Sequence, residues 1–475
     1  MIGFVIGRIL LTEAVLLVLP MVVAVAYGEA ALPFLIPALL LAVIGLALGL
    51  KAPKRSNLYA RDGFAVVALA WVLMSVFGAL PFVLSGDIPH FVDAFFETVS
   101  GFTTTGASIL TEIEPLGRGV LFWRSFTHWV GGMGVLVFVM AILPLSSGDG
   151  HGMHLMRAEV PGPSVGKLVS RMGDTAKILY GIYLVMTVIE IVLLLLGGMP
   201  LFDACIHAFG TAGTGGFGIK NDSMGSYSPY LQNVTTIFMI LFGVNFSCYY
   251  LLLLGQFKSV WKDEELRTYV GIILLSIALI VPNIRGMFDS LAETIRHAAF
   301  QVGSIITTTG FSTVDFDQWP SFSKAILMLL MIVGACAGST GGGLKVARLL
   351  LILKSLRRNI RQMLNPRKVQ VIRNNDSAVD EKVLANTNAY LAAYVVISFV
   401  IFGIISLDGF SIGTNFSAVL CTFNNIGPGF EAVGPMCNFA AYSPLSKFVL
   451  SLGMLAGRLE IFPILVLLSR STWKR

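Results

Sequence analysis

A glycine-rich segment occurs four times in this chain of 475 residues. Before each copy stands a short amphipathic stretch, and before that stretch stands a long apolar run. The copies are GFTTTGAS at residues 101–108, GTGGFG at 213–218, ITTTGFST at 306–313 and NNIGPG at 424–429. Glycine permits backbone conformations that other residues avoid, so such a segment can turn the chain sharply after a helix. The repetition predicts four units of long helix, short helix, glycine-rich turn and long helix around one axis.

The composition places these units in a lipid bilayer. The chain is 55% hydrophobic, with a mean hydropathy of +0.80, and 13% of its residues are charged, against about 25% in an average soluble domain. A net charge of +6 does not indicate nucleic-acid binding, because the excess basic residues stand in short loops between apolar runs. The five cysteines are scattered without a CxxC or Cys/His pattern, so neither a disulfide framework nor a zinc site is predicted.

Ten apolar runs are long enough for a transmembrane helix, which needs about 20 residues. We predict these spans at residues 2–26, 31–50, 64–84, 119–143, 178–196, 230–254, 268–284, 322–353, 387–407 and 444–468. Short helices are predicted at 90–103, 201–212, 288–307 and 412–423. The fold class is therefore an all-α polytopic membrane protein. An N-terminal transmembrane hairpin (1–58) precedes repeats at 59–150, 151–260, 261–375 and 376–475.

The N-terminal run and the basic loops set the orientation. Arg8 and the sequence Ala24-Val25-Ala26 resemble a signal peptide, but a second apolar run follows at once and favours an uncleaved span. Glu13 within the first run is costly in lipid, so we expect it to face protein. Basic residues concentrate in loops at 51–61, 157–177 and 354–373, which fall on one side when ten spans are drawn. The positive-inside rule makes that side, with both termini, cytoplasmic.

The glycine-rich turns carry the chemistry of a cation path. Non-helical backbone at membrane depth survives only where protein buries it or where it lines a water-filled cavity. A ring of carbonyl oxygens can replace the water shell of a cation, threonine hydroxyls add further oxygens, and the negative ends of the short helices point towards the ion. The predicted cation site comprises Thr104, Thr105, Gly106, Thr214, Gly215, Gly216, Thr308, Thr309, Gly310, Asn425, Ile426 and Gly427.

Close packing of helices through small residues is the alternative explanation of one such segment. Four copies, each between a short helix and a span, favour the cation path instead. Because the second and fourth copies are degenerate, the ring is expected to be only approximately fourfold and to reject sodium less strictly than a ring of identical subunits. An acidic outer mouth would concentrate cations, and its expected members are Asp87, Asp93, Glu97, Glu112 and Glu114.

Several motifs resemble the bacterial Trk/Ktr potassium transporters, which are related to the plant and fungal HKT/Trk proteins. They are the four turns, HWVGGMG at 128–134, GSTGGGLK at 338–345 and GRLEIFP at 457–463, and the resemblance covers essentially the whole chain. The two extra N-terminal spans make the TrkH-type subunit the nearest member. The resemblance implies that the four central glycines form a potassium filter. A serine in the first filter position accompanies sodium selectivity in some plant relatives, so Gly106 fits potassium.

The third inner helix is interrupted at residues 334–343 by GACAGSTGGG, since each glycine costs about 1 kcal/mol relative to alanine in a helix. This is not a phosphate-binding loop, because Leu344 separates its last glycine from Lys345. Arg458 is expected well inside the last span and facing the path rather than snorkelling to the surface. The resemblance implies an intramembrane gating loop with a matching arginine. The predicted gate comprises Gly338, Ser339, Thr340, Gly341, Gly342, Gly343, Lys345 and Arg458.

Other polar residues in the apolar runs have less specific interpretations. Asn245 and Ser247 either line the cavity or hydrogen-bond between helices. Lys345 is expected to pair with a carboxylate or with carbonyls, and Glu460 to be an interhelical partner. The residues predicted to be structural are Arg124, His128 and Glu190.

Energy and partners are expected to come from outside the chain. No nucleotide-binding fingerprint occurs, and a membrane potential supplies about 2.3 kcal/mol per charge per 100 mV, enough to draw a cation inward. Proton or sodium coupling stays open. Resemblance to the TrkH type implies a homodimer resting on a cytosolic nucleotide-binding ring of the TrkA type, with the basic segment 354–373 as the candidate contact. Apart from potassium, no cofactor is predicted in this chain.

Three other functions explain less of the sequence. A secondary solute carrier of another fold would show two related halves rather than four quarter-length repeats. An intramembrane hydrolase would need a Ser/His pair in a nucleophile motif, which the sequence lacks, so the chain is not predicted to be an enzyme. A receptor or structural role would leave four costly re-entrant segments without a purpose.

Overall fold

The computed structural model describes residues 2–49, 60–142, 172–367, 370–375, 377–469 and 472. Within these ranges the chain consists of helices and loops, with one small antiparallel hairpin that pairs Arg373–Asn374 with Ser377–Ala378. The predicted all-α fold class is therefore confirmed. The basic residues at 51–55 and 157–171, on which the predicted orientation partly rests, lie outside the described ranges.

The N-terminal segment forms a helical hairpin. Helices Ile2–Leu16 and Val18–Ala26 precede Leu32–Gly49, against which the first of them packs over its length. The hairpin also contacts helix Ala60–Gly78 of the first repeat. Glu13 is 1% exposed, so this acidic side chain faces protein, as its cost in lipid predicts.

Each of the four repeats contains an outer helix, a short helix and an inner helix. The outer helices are Ala60–Gly78 (continued by Leu80–Ser85), Met172–Leu196, Glu264–Ile284 and Glu381–Ile405. The short helices are Phe91–Phe102, Leu201–Ala212, Leu291–Ile306 and Ile412–Phe423. The inner helices are Arg118–Ile142, Pro229–Phe242 with Phe246–Leu253, Ser321–Val333 with Val346–Leu364, and Pro444–Arg458 with Phe462–Leu468. Helix Phe257–Lys262 joins the second repeat to the third.

The short helices are too short to cross a bilayer. Three of them have 12 residues, which is about 18 Å at 1.5 Å per residue, against a hydrocarbon core of about 30 Å. They end inside the protein, where Phe102 and Phe423 are 0% and 2% exposed. The bounds of the second and fourth short helices agree with the sequence prediction residue for residue.

The inner helices depart from the prediction of ten continuous spans. In the described part, six helices are long and apolar enough to cross a membrane, and a bent pair makes a seventh. The second inner helix bends by 90° between Phe242 and Phe246. Its second half begins at Asn245, whose side chain accepts the Ser247 N–H at 2.9 Å. Asn245 and Ser247 thus make a helix cap with each other, and the third inner helix is interrupted as predicted.

The fourth inner helix is broken where the sequence predicts a continuous span. It stops at Arg458 and resumes at Phe462, because Glu460 and Ile461 have positive φ angles of 61° and 66°. Pro463 stands in the first turn of the new segment, where its missing N–H is tolerated. The prediction that Arg458 lies well inside a continuous span is therefore wrong, since Arg458 ends a half-helix.

Candidate functional site

The four short helices end in the same backbone motif. Two residues beyond each helix φ is positive, with values of 55° at Thr104, 56° at Thr214, 59° at Thr308 and 57° at Asn425. The N–H of this residue bonds to the carbonyl three residues back, and the N–H of the next residue bonds to the carbonyl five back at 2.8 Å in every repeat. This is the Schellman motif, in which one left-handed residue lets the chain satisfy the last carbonyls of a helix.

Side chains occupy the position that glycine usually takes in this motif. A β-branched residue at positive φ is an outlier, and for ordinary residues the left-handed conformation costs about 1–2 kcal/mol. Such strain at Thr104, Thr214 and Thr308 points to a use for their side chains. The hydroxyl of Thr308 accepts the N–H of Gly342 at 2.6 Å. The Thr104 hydroxyl is buried and has no hydrogen-bond partner among the described residues.

The four turns close into one ring. Each central glycine faces the carbonyl oxygen of the residue that precedes the next central glycine, in the pairs Gly106 with Gly215, Gly216 with Thr309, Gly310 with Ile426 and Gly427 with Thr105. A Cβ atom built on any of the first three glycines would overlap that oxygen, and on the fourth it would lie 2.8 Å from it. The contacts run in chain order and return from the fourth turn to the first. All twelve residues of the predicted cation site therefore belong to one ring.

The four turns share the same sequence of backbone conformations. The central glycines have positive φ angles of 80°, 76°, 86° and 98° at Gly106, Gly216, Gly310 and Gly427. Left-handed residues thus alternate with ordinary ones through each turn. The N–H groups of the two residues before each central glycine bond back to the short helix, so these donors are satisfied.

All four turns border one cavity, which has a volume of about 120 Å³. Its lining includes the four central glycines and the residues that follow them, among them Ser108, Ser312 and Pro428. The cavity therefore lies where the chain continues beyond the four central glycines.

Glu97 does not belong to an acidic mouth, contrary to the prediction. It is 1% exposed, pairs with the Arg124 Nε atom at 2.6 Å, and accepts the Ser108 hydroxyl and the Ile109 N–H, both at 2.9 Å. Arg124 also donates to the Gly218 carbonyl at 3.0 Å. Removal of either member of such a buried pair would leave an uncompensated charge. The pair joins the first turn to the second and is structural, as predicted for Arg124.

The segment between Val333 and Val346, here called the gate loop, lies against the inner end of the ring. Its Gly342 donates the N–H that Thr308 accepts, and a Cβ on Gly342 would overlap the Asn424 carbonyl oxygen. A Cβ on Gly341 would lie 2.8 Å from the Thr307 carbonyl oxygen. Glycine is needed here because the loop backbone touches the ends of the third and fourth short helices.

Arg458 holds the gate loop from the side of the fourth repeat. One guanidinium nitrogen donates to the Thr340 carbonyl at 2.6 Å, and the other donates to the Gly131 carbonyl of the first inner helix at 2.9 Å. Lys345 donates to the Gly341 carbonyl at 2.5 Å. Two cationic side chains therefore bond to carbonyls of the loop, which is the carbonyl pairing predicted for Lys345.

Glu265 at the start of the third outer helix also holds the gate loop, and sequence reasoning did not identify it. One oxygen of its carboxylate accepts the N–H of Ala337 at 2.5 Å and that of Ala347 at 3.1 Å. These two N–H groups flank the glycine-rich part of the loop, so a single side chain fixes both ends. In the sequence, Glu265 follows Asp263 and Glu264 at a helix start, where acidic residues are ordinary.

An ion pair connects the third and fourth inner helices. Arg348, in the helix that follows the gate loop, bonds to the Glu460 carboxylate at the break of the fourth inner helix. The Arg348 guanidinium also lies over the Tyr390 ring, 4.0 Å from its centroid. Glu460 therefore has the interhelical partner that its position predicts.

Comparison with known proteins assigns the family. The family model described as TrkH, cation transport protein, matches residues 34–474. The chain is 39% identical over 428 residues to the Trk system potassium uptake protein TrkH of Salmonella typhimurium, which covers 89% of this chain and 88% of that protein. It is 34% identical over 467 residues to the Trk system potassium uptake protein TrkG of Escherichia coli, covering 96% and 94%.

A solved structure agrees over the whole chain. The crystal structure of the potassium transporter TrkH from Vibrio parahaemolyticus matches with a TM-score of 0.88 at 33% identity, covering 100% of this chain and 99% of that one. These relatives are named as transporters, which is a non-enzymatic function. The chain therefore belongs to the TrkH family of cation transport proteins, and it is a membrane transporter with four pseudo-repeated units.

Proposed function

We propose that the protein takes up potassium across the bacterial cytoplasmic membrane through the ring formed by its four turns. The observation that carries this proposal is the closed cycle of contacts between each central glycine and the carbonyl before the next one. The relatives in the comparison are named as potassium uptake proteins or as a potassium transporter.

Potassium binds in this proposal at the twelve residues of the predicted cation site. Backbone carbonyls of the turns replace its water shell, and the buried hydroxyls of Thr104, Thr214 and Thr308 provide oxygens at the inner end. The C-terminal ends of the four short helices add negative dipole ends around the same point. The ring is fourfold in its backbone but not in its side chains, so sodium is rejected incompletely.

The gate loop blocks the path on the cytoplasmic side of the ring. The contacts of Gly341 and Gly342 with the third and fourth turns support this position, and Arg458 adds a positive charge and two hydrogen bonds to carbonyls. The gate residues are those of the sequence prediction, together with Glu265. Opening requires the loop to leave these contacts.

The membrane potential drives inward movement, at about 2.3 kcal/mol per charge per 100 mV. A proton- or sodium-coupled symporter is the alternative. The two mechanisms differ in one result: only a symporter accumulates potassium against its electrochemical gradient when a proton or sodium gradient is imposed across liposomes. For conduction, we expect uptake that stops at the equilibrium set by the potential and the potassium gradient alone.

Control comes from a cytosolic nucleotide-binding ring of the TrkA type, on which the protein rests as a homodimer with both termini in the cytoplasm. Helix Val346–Leu364 continues directly from the gate loop and carries the exposed side chains of Arg357 and Arg361. Arg358 is engaged with Glu381. Charge reversal of Arg357 and Arg361 together should reduce co-purification of the ring protein without loss of folded transporter, and unchanged co-purification would contradict this contact.

The first test is uptake of potassium, rubidium, sodium and lithium into liposomes that contain the purified protein. Gly310→Ser should abolish potassium and rubidium uptake, because the new side chain meets the Ile426 carbonyl. Gly181→Ser is the matched control, since a Cβ on Gly181 meets nothing within 4 Å, and it should transport as the wild type does. Wild-type uptake and selectivity in Gly310→Ser would reject the proposed filter. If the wild-type protein shows no uptake, Arg458→Ala should open the gate, and the glycine variants are then compared in that background.

A further inference from the structure

The imidazole of His128 lies directly behind the second turn. His128 belongs to the first inner helix and is 0% exposed. A Cβ built on Gly215 would overlap its ring, at 2.3 Å from Cγ and Nδ1 and 2.6 Å from Cδ2. The ring centroid is 4.1 Å from that of Phe217, so the imidazole is enclosed between Gly215 and this aromatic side chain.

In the first and third repeats, two threonines fill the corresponding space. Their hydroxyls bond to each other across one residue, at 2.7 Å between Thr103 and Thr105 and at 2.8 Å between Thr307 and Thr309. In the second repeat, both of these positions are glycines, Gly213 and Gly215. The second turn thus has no side chain of its own behind its carbonyls, and a side chain from another helix takes that place.

Backbone conformation does not explain the glycine at position 215. Unlike Gly216, Gly215 is not among the residues with positive φ, and its N–H makes the same 2.8 Å bond to the short helix as its counterparts do. The equivalent residues in the other turns are Thr105, Thr309 and Ile426. Gly215 is therefore a glycine because the His128 ring occupies the volume of its side chain.

His128 also connects two turns. Its Nδ1 atom lies 2.8 Å from the Gly101 carbonyl oxygen, and since a carbonyl can only accept, Nδ1 carries the proton and donates it. The same carbonyl accepts the N–H of Thr104, the left-handed residue of the first turn. On its other face the ring meets Gly215, whose carbonyl oxygen is the one that Gly106 packs against. The imidazole thus lies between the first and second turns and contacts both.

We propose that His128 is a positioning residue of the cation filter, and that its imidazole replaces the missing side chains of the second turn and fixes the Gly215 carbonyl at a spacing that favours potassium over sodium. This inference rests on the proposed function. A carbonyl ring discriminates between the two ions by its size and stiffness. Without the imidazole, the second turn gains room to move away from the axis or to follow a smaller ion inward, and discrimination falls.

The test measures the ratio of potassium to sodium uptake in liposomes for a set of variants. His128→Ala should lower this ratio by about tenfold, which corresponds to about 1.4 kcal/mol. His128→Phe keeps a ring behind the turn but not the donor, whereas His128→Asn keeps a donor but not the ring. If the volume of the ring determines selectivity, the ratio of potassium to sodium uptake should stay closer to the wild-type value in His128→Phe than in His128→Asn.

A reciprocal exchange separates positioning from a general loss of structure. Gly215→Thr alone should abolish uptake, because its side chain meets the imidazole. The double variant His128→Ala with Gly215→Thr supplies the side chain found in the first and third turns, and it should regain uptake and most of the lost ratio. Recovery by a second substitution is a result that a merely structural role of His128 would not give.

His297→Ala is the matched control. His297 is 5% exposed, and its Nδ1 atom lies 2.8 Å from the Thr313 hydroxyl, outside the ring, so this variant should keep the wild-type ratio. The inference is overturned if His128→Ala keeps the wild-type ratio while Gly310→Ser changes it, or if the double variant does no better than His128→Ala. If Gly310→Ser also leaves the ratio unchanged, the filter itself is rejected. If His128→Ala does not fold, the uptake ratios of His128→Phe and of the double variant decide whether the inference holds.

Discussion

The four glycine-rich turns are alike, whereas the four inner helices beneath them differ. Every turn has the same cap, the same alternation of φ angles and the same contact with its neighbour. Of the inner helices, the first is continuous from Arg118 to Ile142, the second bends by 90°, the third contains the gate loop, and the fourth is broken after Arg458. The repeat symmetry is kept in the turns, where the proposed function needs equivalent carbonyls, and it is lost in the inner helices, three of which contact a single loop.

The breaks in the inner helices supply the groups that hold the gate loop. A helix end leaves backbone N–H and C=O groups without partners. At the bend of the second inner helix, Gly243 accepts the Cys336 N–H at 3.0 Å and Phe246 donates to the Gly338 carbonyl at 3.1 Å. At the end of the fourth, Arg458 reaches Thr340. The breaks in the second and fourth inner helices thus contact one loop of the third repeat.

The largest expected effect is a loss of potassium uptake when a central glycine is replaced, and it tests whether the four turns are equivalent. Gly106→Ala and Gly216→Ala should each lower potassium uptake by at least about tenfold, the factor that 1.4 kcal/mol produces, because both glycines have positive φ and face a carbonyl of the next turn. The degenerate second turn should be as sensitive as the first. The measurement is initial uptake into liposomes, with Gly181→Ala as control. If Gly216→Ala keeps wild-type uptake while Gly106→Ala does not, the second turn is not equivalent to the first.

The next largest expected effect is a rise in basal uptake when Arg458, which holds the gate loop, is replaced. Arg458→Ala removes a positive charge and two hydrogen bonds from the loop, so basal uptake without a cytosolic partner should rise several-fold while the ratio of potassium to sodium stays the same. Arg458→Lys keeps the charge and should give a smaller rise. Unchanged basal uptake in Arg458→Ala would remove this residue from the gate.

A smaller increase is expected when Glu265 is altered. Glu265→Ala removes the acceptor of two loop N–H groups, and leaving such groups unsatisfied costs about 1–3 kcal/mol each. Glu265→Gln keeps an oxygen acceptor and should behave nearly as the wild type in the same uptake assay. Equal behaviour of the alanine and glutamine variants would show that the hydrogen bonds to the loop do not hold the gate.

The smallest expected effect is a change in melting temperature. It concerns Glu431, in the loop after the fourth turn, on the side of the ring opposite the gate loop. Hydrogen bonds from the Ser411 and Thr414 hydroxyls lower the pKa of Glu431 below its ordinary value of 4.5. A lowered carboxyl pKa contributes stability above the unfolded value, and this is lost as the pH falls through the folded value. Glu431→Gln should therefore reduce the melting temperature slightly at neutral pH and have no effect at pH values below the lowered pKa. A pH-independent difference would contradict this assignment.

The parts of the fold that depend on local sequence were predictable. The short helices could be located because an amphipathic stretch before a glycine-rich turn determines where a helix starts and ends, and residues 201–212 and 412–423 agree fully. The gate loop was predictable for the same reason, since GACAGSTGGG cannot remain helical.

The breaks at residues 243–245 and 459–461 were not predicted, because the few polar residues at these positions stand inside long apolar runs and do not by themselves end a helix. What fixes them is a tertiary arrangement: Asn245 caps a half-helix beside Gly338, and Glu460 turns towards Arg348. Glu265 and His128 were missed as positioning groups for a related reason. An acidic residue at a helix start and a histidine in an apolar run look ordinary until the loop or turn that they contact is known.

The central claim is that the four turns form a single cation-binding ring, and the most direct measurement is anomalous diffraction from crystals of the protein grown with rubidium or thallium as potassium substitutes. The account predicts anomalous peaks on the ring axis, coordinated by the carbonyl oxygens of Thr105, Gly215, Thr309 and Ile426 together. Peaks that lie only between helices or at the protein surface, with none on the axis, would contradict it.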